Sequence, residues 1–397
     1  MKIAVLHWYT SSVGGINTVM EQYRAVAQKR GDTFHVLYSN PRPTHKPGLW
    51  PKRELIRNGD SFITCDGYAP YHERNVDETL KLLAGYDVIM TSFLCPHPTK
   101  QYGTEPLFIP FFEKIKKLGK PFIGYVHDAY WDTYKEWGEL TLPFCVKTLI
   151  AQKAYGNPLV KAGYKVQPVY LPFTPLVTDP KVKRDAKRLV WTPQWKNIKG
   201  VQGFFKGLPA LKKAGFNVGL YNSGIEYFKF RLMPEWAKVV DRDFHVEGAA
   251  RLAASIKRPQ VAFYGWQPLE NVPGILAGAG FMADFQGHSA KYAAYLNGSY
   301  NCTIIEALYY GTVPVVHANM LKGDIPAELL LAVTKIADYP DAVRRYTVGS
   351  YPATRACEFV LDCHSAEKLY DKIFKEFRPG RSSQTKSVAS AKSGRKK

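Results

Sequence analysis

Short apolar runs alternate with amphipathic segments along the chain. Lys2–Trp8 reads KIAVLHW, the pattern expected of a buried parallel strand. A stretch of small residues follows, and the apolar spacing then predicts a helix over Asn17–Arg30. Gly31 ends this helix, and Phe34–Tyr38 is the next predicted strand. The order of strand, loop, helix and strand predicts a doubly wound α/β sheet.

The same pattern restarts in the second half of the chain. Leu189–Thr192 reads as a strand, and Val201–Ala214 reads as the helix that follows it. Between the halves, residues 171–186 (LPFTPLVTDPKVKRDA) are rich in proline and predict an interdomain hinge. Further strands are predicted at Val88–Thr91, Phe122–Val126, Val166–Tyr170, Asn217–Tyr221, Val261–Tyr264, Phe281–Asp284 and Val313–His317.

The length of 397 residues fits two domains, since a typical domain holds roughly 100–200 residues. We place the first Rossmann-like domain at 1–175 and the second at 186–360. A C-terminal helix at 361–380 is expected to pack back on the first domain. Residues 381–397 carry six Lys or Arg and no acid. This tail has too little apolar content to order it, so we expect disorder.

The formal net charge of +20 favours a partner that is nucleic acid, an anionic membrane or an acidic metabolite. The six cysteines form no CxxC pair, which argues against a zinc site or a disulfide framework and favours a reducing cytoplasm. No run approaches 18 apolar residues, so no membrane span is expected. The apolar run at the N-terminus is too short for a signal peptide.

Two candidate motifs lie in the first half. Gly14 and Gly15 fall between the first strand and the first helix, where glycines let the backbone approach a phosphate or a sugar. Glycine turns are common here, so a structural role is equally compatible. His127 and Asp128 directly follow a predicted strand, at the edge where open α/β sheets bind ligands. They could contact a sugar and orient an acceptor, or form a structural pair.

Two further motifs lie in the second half. Lys196 and Lys199 follow a strand in WTPQWKNIKG and could neutralise a diphosphate leaving group, unless they are simply solvated. In NCTIIEALYYGTVPVV, Glu306 is expected to open a helix that ends at Gly311. Its carboxylate suits the two hydroxyls of a ribose, as acids do in Rossmann sites. Thr303, one turn earlier, suits a phosphate. This last motif is the most specific in the chain.

Taken in order, these motifs resemble the GT-B glycosyltransferases of the retaining family 4 type over roughly residues 1–320. The resemblance implies two Rossmann-like domains facing across a deep cleft, the first binding the acceptor and the second a nucleotide sugar. Two departures are clear. The family's glutamate eight residues before Glu306 is Gly298 here, and its arginine in the Lys-Gly loop is Gln194. Lys196 could supply the missing charge.

A narrower resemblance is to the DNA α-glucosyltransferases of T-even phages. It is carried by Glu21-Gln22 in the first helix, by Tyr125-Val126-His127-Asp128, and by the stretch around Glu306. The resemblance implies that Glu21, His127 and Asp128 act in catalysis or acceptor binding and that Glu306 holds the nucleotide ribose. It further implies a UDP-sugar donor, no other cofactor and no strict need for a metal. Glucose or a pentose such as arabinose is the expected sugar.

A double-stranded DNA acceptor also fits the basic, aromatic loop at 40–59. Such a loop suits a clamp on the phosphate backbone, although a solvated surface has the same composition. Its candidate DNA-binding residues are Arg42, Lys46, Trp50, Lys52, Arg53 and Arg57. A second basic segment lies at 229–258. An enzyme with a deep cleft is expected to extrude the target base, at about a few kcal/mol of unstacking.

The sequence therefore favours transfer of a sugar, with retention, to the hydroxymethyl group of a modified pyrimidine in phage DNA. The enzyme is expected to be a monomer in the cytoplasm of an infected bacterium, with no membrane partner. One alternative is a glycosyltransferase of lipopolysaccharide or another surface glycan, whose basic face would meet anionic lipid. A second alternative is a non-catalytic DNA-binding protein on the same scaffold, favoured by the substitutions at Gly298 and Gln194.

Overall fold

The computed structural model describes residues 1–9, 15–40, 61–62, 73–92, 105–126, 141–193, 199–221, 261–265, 267, 269–288 and 298–378. In these ranges the chain forms two parallel β-sheets, with α-helices in many of the connections between strands. The α/β class predicted from the sequence is confirmed. Each of the ten predicted strands overlaps a strand of the structure.

The first sheet has seven strands in the order β3-β2-β1-β4-β5-β6-β7. These strands are β1 (Lys2–Tyr9), β2 (Thr33–Asn40), β3 (Ser61–Phe62), β4 (Val88–Ser92), β5 (Phe122–Val126), β6 (Lys147–Ile150) and β7 (Val166–Pro168). The helices of this half are α1 (Gly15–Lys29), α2 (Glu73–Ala84), α3 (Glu105–Lys117) and α4 (Lys153–Lys161). The strand order reverses between β1 and β4, which is where open α/β sheets form a ligand crevice.

The second sheet has six strands in the order β10-β9-β8-β11-β12-β13. These strands are β8 (Asp185–Trp191), β9 (Asn217–Tyr221), β10 (Val261–Gly265), β11 (Ala279–Asp284), β12 (Val313–His317) and β13 (Leu331–Val333). The helices are α5 (Val201–Lys213), α6 (Val272–Ala277), α7 (Cys302–Tyr309), α8 (Tyr339–Arg345), α9 (Ala353–Cys363) and α10 (Ala366–Phe374). Here the order reverses between β8 and β11.

The central strands are buried on both faces, as the continuous apolar runs predict. All six residues of β11 and all five of β12 are buried. Trp191, at the end of β8, is fully buried and packs against Phe204 of α5, with ring centroids 4.6 Å apart. This packing fixes the carboxyl ends of β8 and β11, which carry the candidate site.

The chain crosses between the two halves a second time near its C-terminus. The backbone of Phe173, in the hinge segment, forms an isolated parallel bridge with Ser365. The helical segment expected at 361–380 is interrupted at this point: α9 ends at Cys363, and α10 begins after Ser365, whose hydroxyl caps it. Because the backbone at this point bonds to the hinge segment, it cannot also continue the helix, which explains the break.

Helix α10 lies against α1 and is held there by a buried carboxylate. Asp32, just after α1, accepts hydrogen bonds from the Tyr370 hydroxyl (2.9 Å) and from Arg378 (2.9 Å). The amino group of Met1 lies 3.0 Å from its other oxygen. Exposed ion pairs of Lys29 and Arg30 with α10 surround this centre. Asp32 therefore joins the C-terminal segment to the first domain.

Replacing Asp32 with asparagine should release this segment. The variant loses charge-assisted hydrogen bonds at a nearly buried oxygen, so the free energy of unfolding should fall by about 1.5–3 kcal/mol. Limited proteolysis should then cut near α10 before the rest of the chain. Asp362→Asn is the control, because its ion pair with Lys368 is exposed on both sides and should contribute under about 0.5 kcal/mol. Equal melting temperatures for the two variants would rule out this role.

Candidate functional site

The lysine of the Lys-Gly pair is held at the carboxyl end of the second sheet. The carbonyl of Lys199 accepts a hydrogen bond of 3.1 Å from the backbone N–H of Phe285, immediately after β11. Gly200 follows with φ of 74° and precedes α5. A Cβ at this glycine would lie 2.7 Å from the Cβ of Phe285 and 2.8 Å from Cδ1 of Ile336. Only glycine fits at this position, so the fold requires the glycine of the Lys-Gly pair.

A buried glutamine positions the Lys199 ammonium. The Lys199 Nζ donates to Oε1 of Gln286, and Nε2 of Gln286 donates to the Ser299 hydroxyl at 2.6 Å. The backbone N–H of Gln286 donates to Asp284 at 3.0 Å. Gln286 is thus fixed at both ends of its side chain. It places a positive charge beside the turn that leads into α5.

The other side of the site is the start of α7. Its N-cap is Asn301, whose Oδ1 accepts from the backbone N–H of Thr303 at 3.0 Å and also from the Thr303 hydroxyl. Asn301 Nδ2 in turn donates to Asp284. The helix begins at Cys302, so the expectation that Glu306 opens it is wrong: Glu306 is the fifth residue. The asparagine is a stronger start signal than the glutamate, because its side chain satisfies a backbone N–H.

Glu306 is a partly buried carboxylate in the same cluster. Within the described ranges it has neither a hydrogen bond nor an ion pair, and burial raises its pKa from 4.5 to about 7. The pKa of the Cys302 thiol is raised to about 12, first by burial and then by Glu306, while Lys199 acts to lower it. The thiol therefore lies within electrostatic range of both groups. The structure brings Lys199, Thr303 and Glu306 together around the end of β11.

The carboxyl edge of the first sheet meets this cluster. Gln152, just after β6, exchanges two hydrogen bonds with the backbone of Tyr300: its Oε1 accepts from the N–H at 2.9 Å, and its Nε2 donates to the carbonyl. Lys153 contacts Asp324 through its backbone N–H at 3.0 Å and its ammonium at 3.3 Å. The pKa of Tyr125, on β5, is raised by burial and by its neighbours, one of which is Cys302. The carboxyl ends of the two sheets therefore face each other.

Two predicted residues of the first domain are described. Gly15 is the first residue of α1. Glu21 lies on α1, and its carboxylate is 3.4 Å from Nε of Arg24, with 29 % of its side chain exposed. Arg24 is buried and also donates to the carbonyl of Phe34 at 3.1 Å. The Glu21 carboxylate is therefore partly exposed to solvent, and the buried Arg24 balances its charge.

The remaining predicted residues lie outside the described ranges. They are Gly14, His127, Asp128 and Lys196, and the DNA-binding candidates Arg42, Lys46, Trp50, Lys52, Arg53 and Arg57. Gln194, the basic segment 229–258 and the tail at 381–397 also lie outside them.

The sequence prediction missed several residues of the site. Gln286 and Asp284 lie at the end of β11, and the rule that selected His127 at the end of a strand could have found them. Asn301 carried an N-cap signal. His7, near the end of β1, is buried, with Nδ1 2.8 Å from the carbonyl oxygen of Ser92, and burial lowers its pKa to about 4. A neutral histidine therefore lies at the reversal point of the first sheet.

The surroundings of Gly298 explain why this chain has no glutamate at this position of the family 4 pattern. Its φ is 79°, and a Cβ there would lie 2.8 Å from the backbone N of Gly323. The backbones of the two glycines touch, so this position has no room for the glutamate that the family carries. A glutamate therefore cannot simply be placed at this position.

We therefore expect Gly298→Glu to destabilise the protein and not to raise its activity. A positive φ with a side chain is estimated at about 1–3 kcal/mol of strain, and the clash with Gly323 adds to it. Differential scanning calorimetry should show a lower melting temperature. Gly349→Ala is the control, since nothing lies within 4 Å of a Cβ there. A Gly298→Glu variant as stable as the control and more active would contradict this account.

Two features are absent from the described part of the chain. None of its helices is long and apolar enough to cross a membrane. No group of three His, Cys, Asp or Glu side chains in it could hold a metal ion.

Known structures decide the fold. An alpha-glucosyltransferase in complex with UDP-glucose and DNA containing an abasic site matches with a TM-score of 0.62 and 14 % identity, covering 95 % of this chain and 99 % of that one. A glycosyltransferase from Rickettsia africae matches with a TM-score of 0.62 and 12 % identity over 95 % of this chain and 97 % of that one. The chain has the GT-B fold.

A third GT-B neighbour is a lipopolysaccharide outer core galactosyltransferase, with a TM-score of 0.57 and 14 % identity over 95 % of this chain and 99 % of that one. No protein-family model and no curated protein matches the sequence. The GT-B neighbours include an enzyme solved with DNA and an enzyme of lipopolysaccharide synthesis, so the similarity by itself does not decide the acceptor of this chain.

Proposed function

We propose that the protein transfers a sugar from a UDP-sugar to a hydroxymethylated pyrimidine in double-stranded DNA, with retention at the anomeric carbon. The observation that carries the proposal is the convergence of Lys199, Thr303 and Glu306 at the reversal point of the second sheet. A cation beside a helix start suits a diphosphate, and an unpaired acid nearby suits a ribose.

The second domain holds the donor in this proposal. Glu306 accepts hydrogen bonds from the ribose hydroxyls, while Lys199 and the N–H groups at the start of α5 face the diphosphate. That helix has no side-chain cap and no acid in its first turn, so the positive end of its dipole is available to an anion. Lys196, in the same loop, adds a second cation. As the bond between the anomeric carbon and the diphosphate breaks, these groups stabilise the departing charge.

The first domain holds the acceptor in this proposal. The acceptor hydroxyl attacks the anomeric carbon from the face that the diphosphate leaves. His127 contacts the sugar, and Asp128 or Glu21 orients or deprotonates the hydroxyl. His127 and Asp128 directly follow Val126 in sequence, and β5 ends on the edge that faces the second domain. Gly14 and Gly15 let the backbone approach the sugar.

DNA recognition in this proposal rests on charge and on the aromatic ring of the basic loop. Arg42, Lys46, Lys52, Arg53 and Arg57 contact the phosphate backbone, and Trp50 stacks or wedges at the extruded base. The net charge of +20 supports a polyanionic partner. The neighbour solved with UDP-glucose and DNA adds fold-level support for this acceptor.

The decisive experiment offers the full-length protein a panel of UDP-sugars with DNA that carries hydroxymethylcytosine or hydroxymethyluracil. Nucleoside mass spectrometry should detect a glycosylated hydroxymethylpyrimidine with one donor. Unmodified DNA is the control acceptor. Absence of any product with both bases and every donor would refute the DNA assignment.

The similarity to the lipopolysaccharide galactosyltransferase favours a second candidate, transfer to a surface glycan. The two candidates differ in acceptor and not in donor chemistry. If a lipopolysaccharide core takes up sugar while hydroxymethylated DNA does not, the second candidate is correct. If UDP-sugars bind but neither acceptor reacts, the scaffold is a binding protein.

We further propose that transfer needs no divalent cation, because Lys199, Lys196 and the start of α5 neutralise the leaving diphosphate. EDTA should therefore leave most of the activity intact when product formation is followed by mass spectrometry. Activity that disappears with EDTA and returns with Mg²⁺ or Mn²⁺ would show that a metal supplies this charge instead.

A further inference from the structure

A second cavity lies on the sheet of the C-terminal half, outside the candidate site. It is an open groove of about 390 Å³ that lies over β8, β9 and β10, between the hinge segment and α6. The residues that define its chemistry are Arg188, Tyr221, Tyr264, Gln267, Glu270 and Asn271. We call it the tyrosine groove.

The tyrosine groove lies over one face of the sheet, beside the hinge segment. The hinge residues that line the groove come directly after Leu176. The backbone N–H of Leu176 donates to the hydroxyl of Tyr310, just after the end of α7, at 3.2 Å. Its floor includes Arg188, in the middle of β8. Lys199, Thr303 and Glu306 are not among the described residues that line it. The groove is therefore separate from the proposed donor site.

Two stacked tyrosines form the aromatic wall. The rings of Tyr221 and Tyr264 are nearly parallel, with centroids 4.7 Å apart and planes at 10°. Arg188 donates to the Tyr221 hydroxyl at 2.7 Å. A Cβ on Gly219 would lie 2.9 Å from Cε2 of Tyr221, so the glycine lets that ring fold back across the sheet. Tyr264 is 49 % exposed, which leaves part of its surface to solvent.

Polar groups of both kinds surround this wall. Gln267 donates to the carbonyl of Tyr264 at 2.9 Å, and Asn271 donates to Oε1 of Gln267 at 3.2 Å. These bonds fix the two amides while leaving other donor and acceptor positions on them. In the described part of the lining, Asp179 and Glu270 add two carboxylates beside the one cation of Arg188.

This composition selects a neutral polyhydroxylated ligand. Among the described lining residues, two acids against one base disfavour a phosphate or a nucleic acid strand. A purely apolar ligand would leave the carboxylates and amides without partners. A sugar ring presents C–H groups to an aromatic face and hydroxyls that both donate and accept, so it satisfies every element of the lining.

We propose that the tyrosine groove is a second carbohydrate-binding site, which holds one pyranose ring or a short glycan against Tyr264. Arg188, Glu270 and Asn271 bond its hydroxyls. The site binds sugar without a nucleotide and without chemical reaction. It allows the protein to stay on a glycosylated product or on a host glycan while the donor site is empty.

The test measures sugar binding by saturation-transfer difference NMR on the full-length protein, with methyl α-glucopyranoside, methyl α-galactopyranoside, methyl α-arabinopyranoside and maltotriose as probes. We expect millimolar binding of at least one probe. Tyr264→Ala and Arg188→Gln should weaken it at least about tenfold, a loss of about 1.4 kcal/mol. Tyr264→Phe should retain it, because the ring remains. Circular dichroism verifies that each variant is folded.

Two controls separate this site from the donor site. Glu306→Ala should leave binding of the free sugars unchanged, and Tyr264→Ala should leave UDP binding unchanged. Leu321→Ala, an exposed apolar residue elsewhere in the same half, should affect neither. The proposal is overturned if no probe binds, if Tyr264→Ala binds as well as the unaltered protein, or if Glu306→Ala abolishes sugar binding. None of these results depends on whether DNA is the acceptor.

Discussion

Replacing Glu306 with alanine weakens the binding of a UDP-sugar donor about 10- to 100-fold. This expectation follows from the loss of hydrogen bonds to a charged acceptor, each contributing about 1.5–3 kcal/mol, with 1.4 kcal/mol equal to a factor of ten. Isothermal titration calorimetry with UDP gives the dissociation constant directly. Glu328→Ala is the control, because Glu328 is an exposed acid in the same domain. Unchanged UDP binding in Glu306→Ala would contradict the ribose role.

The pKa of Glu306 adds a pH signature to this prediction. Its folded-state pKa of about 7 lies above the ordinary value of 4.5. Its contribution to stability is therefore fully present below pH 4.5 and is lost as the pH rises through 7. Glu306→Gln stays neutral, so the ligand-free variant should melt above the unaltered protein at pH 8, with a smaller difference at pH 5. In the unaltered protein, UDP binding should weaken as the pH falls below 7.

Replacing Lys199 with methionine lowers the rate of transfer about 100- to 1000-fold. Removing one preorganised group that stabilises developing charge has an effect of this size in other enzymes. The ammonium is held by Gln286 and acts mainly on the departing diphosphate, so kcat should fall more than KM rises. Gln286→Ala should give a smaller loss of kcat, because the charge remains but is no longer fixed.

Lys206→Met is the matched control for this variant, since Lys206 is an exposed lysine on α5, next to the same loop. Its kcat should stay within about threefold of the unaltered value. Should Lys199→Met show no greater loss than Lys206→Met, the diphosphate would have to be neutralised by other groups.

The fold could be predicted from the sequence because its strands are buried on both faces and read as continuous apolar runs. β11 and β12 are examples. The strands that were missed, β3, β6 and β13, have two to four residues and are too short for a pattern to stand out. Their places are determined by pairing with a neighbouring strand, which local sequence does not record.

The sequence could predict only those site residues whose type by itself suggests the chemistry, such as a cation or an acid. Lys199 and Glu306 were found because a cation and an acid at strand and helix ends suggest a nucleotide. Gln286 and Gln152 were missed, because a neutral amide has no such signal and its role depends on distant partners. Gln286 joins Lys199 to Ser299, and Gln152 bonds Tyr300, which is 148 residues away in sequence.

The bridge between Phe173 and Ser365 affects how the two halves can move. It ties the outgoing and the returning segments of the chain side by side, so the halves are connected by a paired ribbon instead of one flexible tether. A ribbon resists twisting and sliding but allows bending. We therefore expect the two halves to move relative to each other by bending at this paired segment.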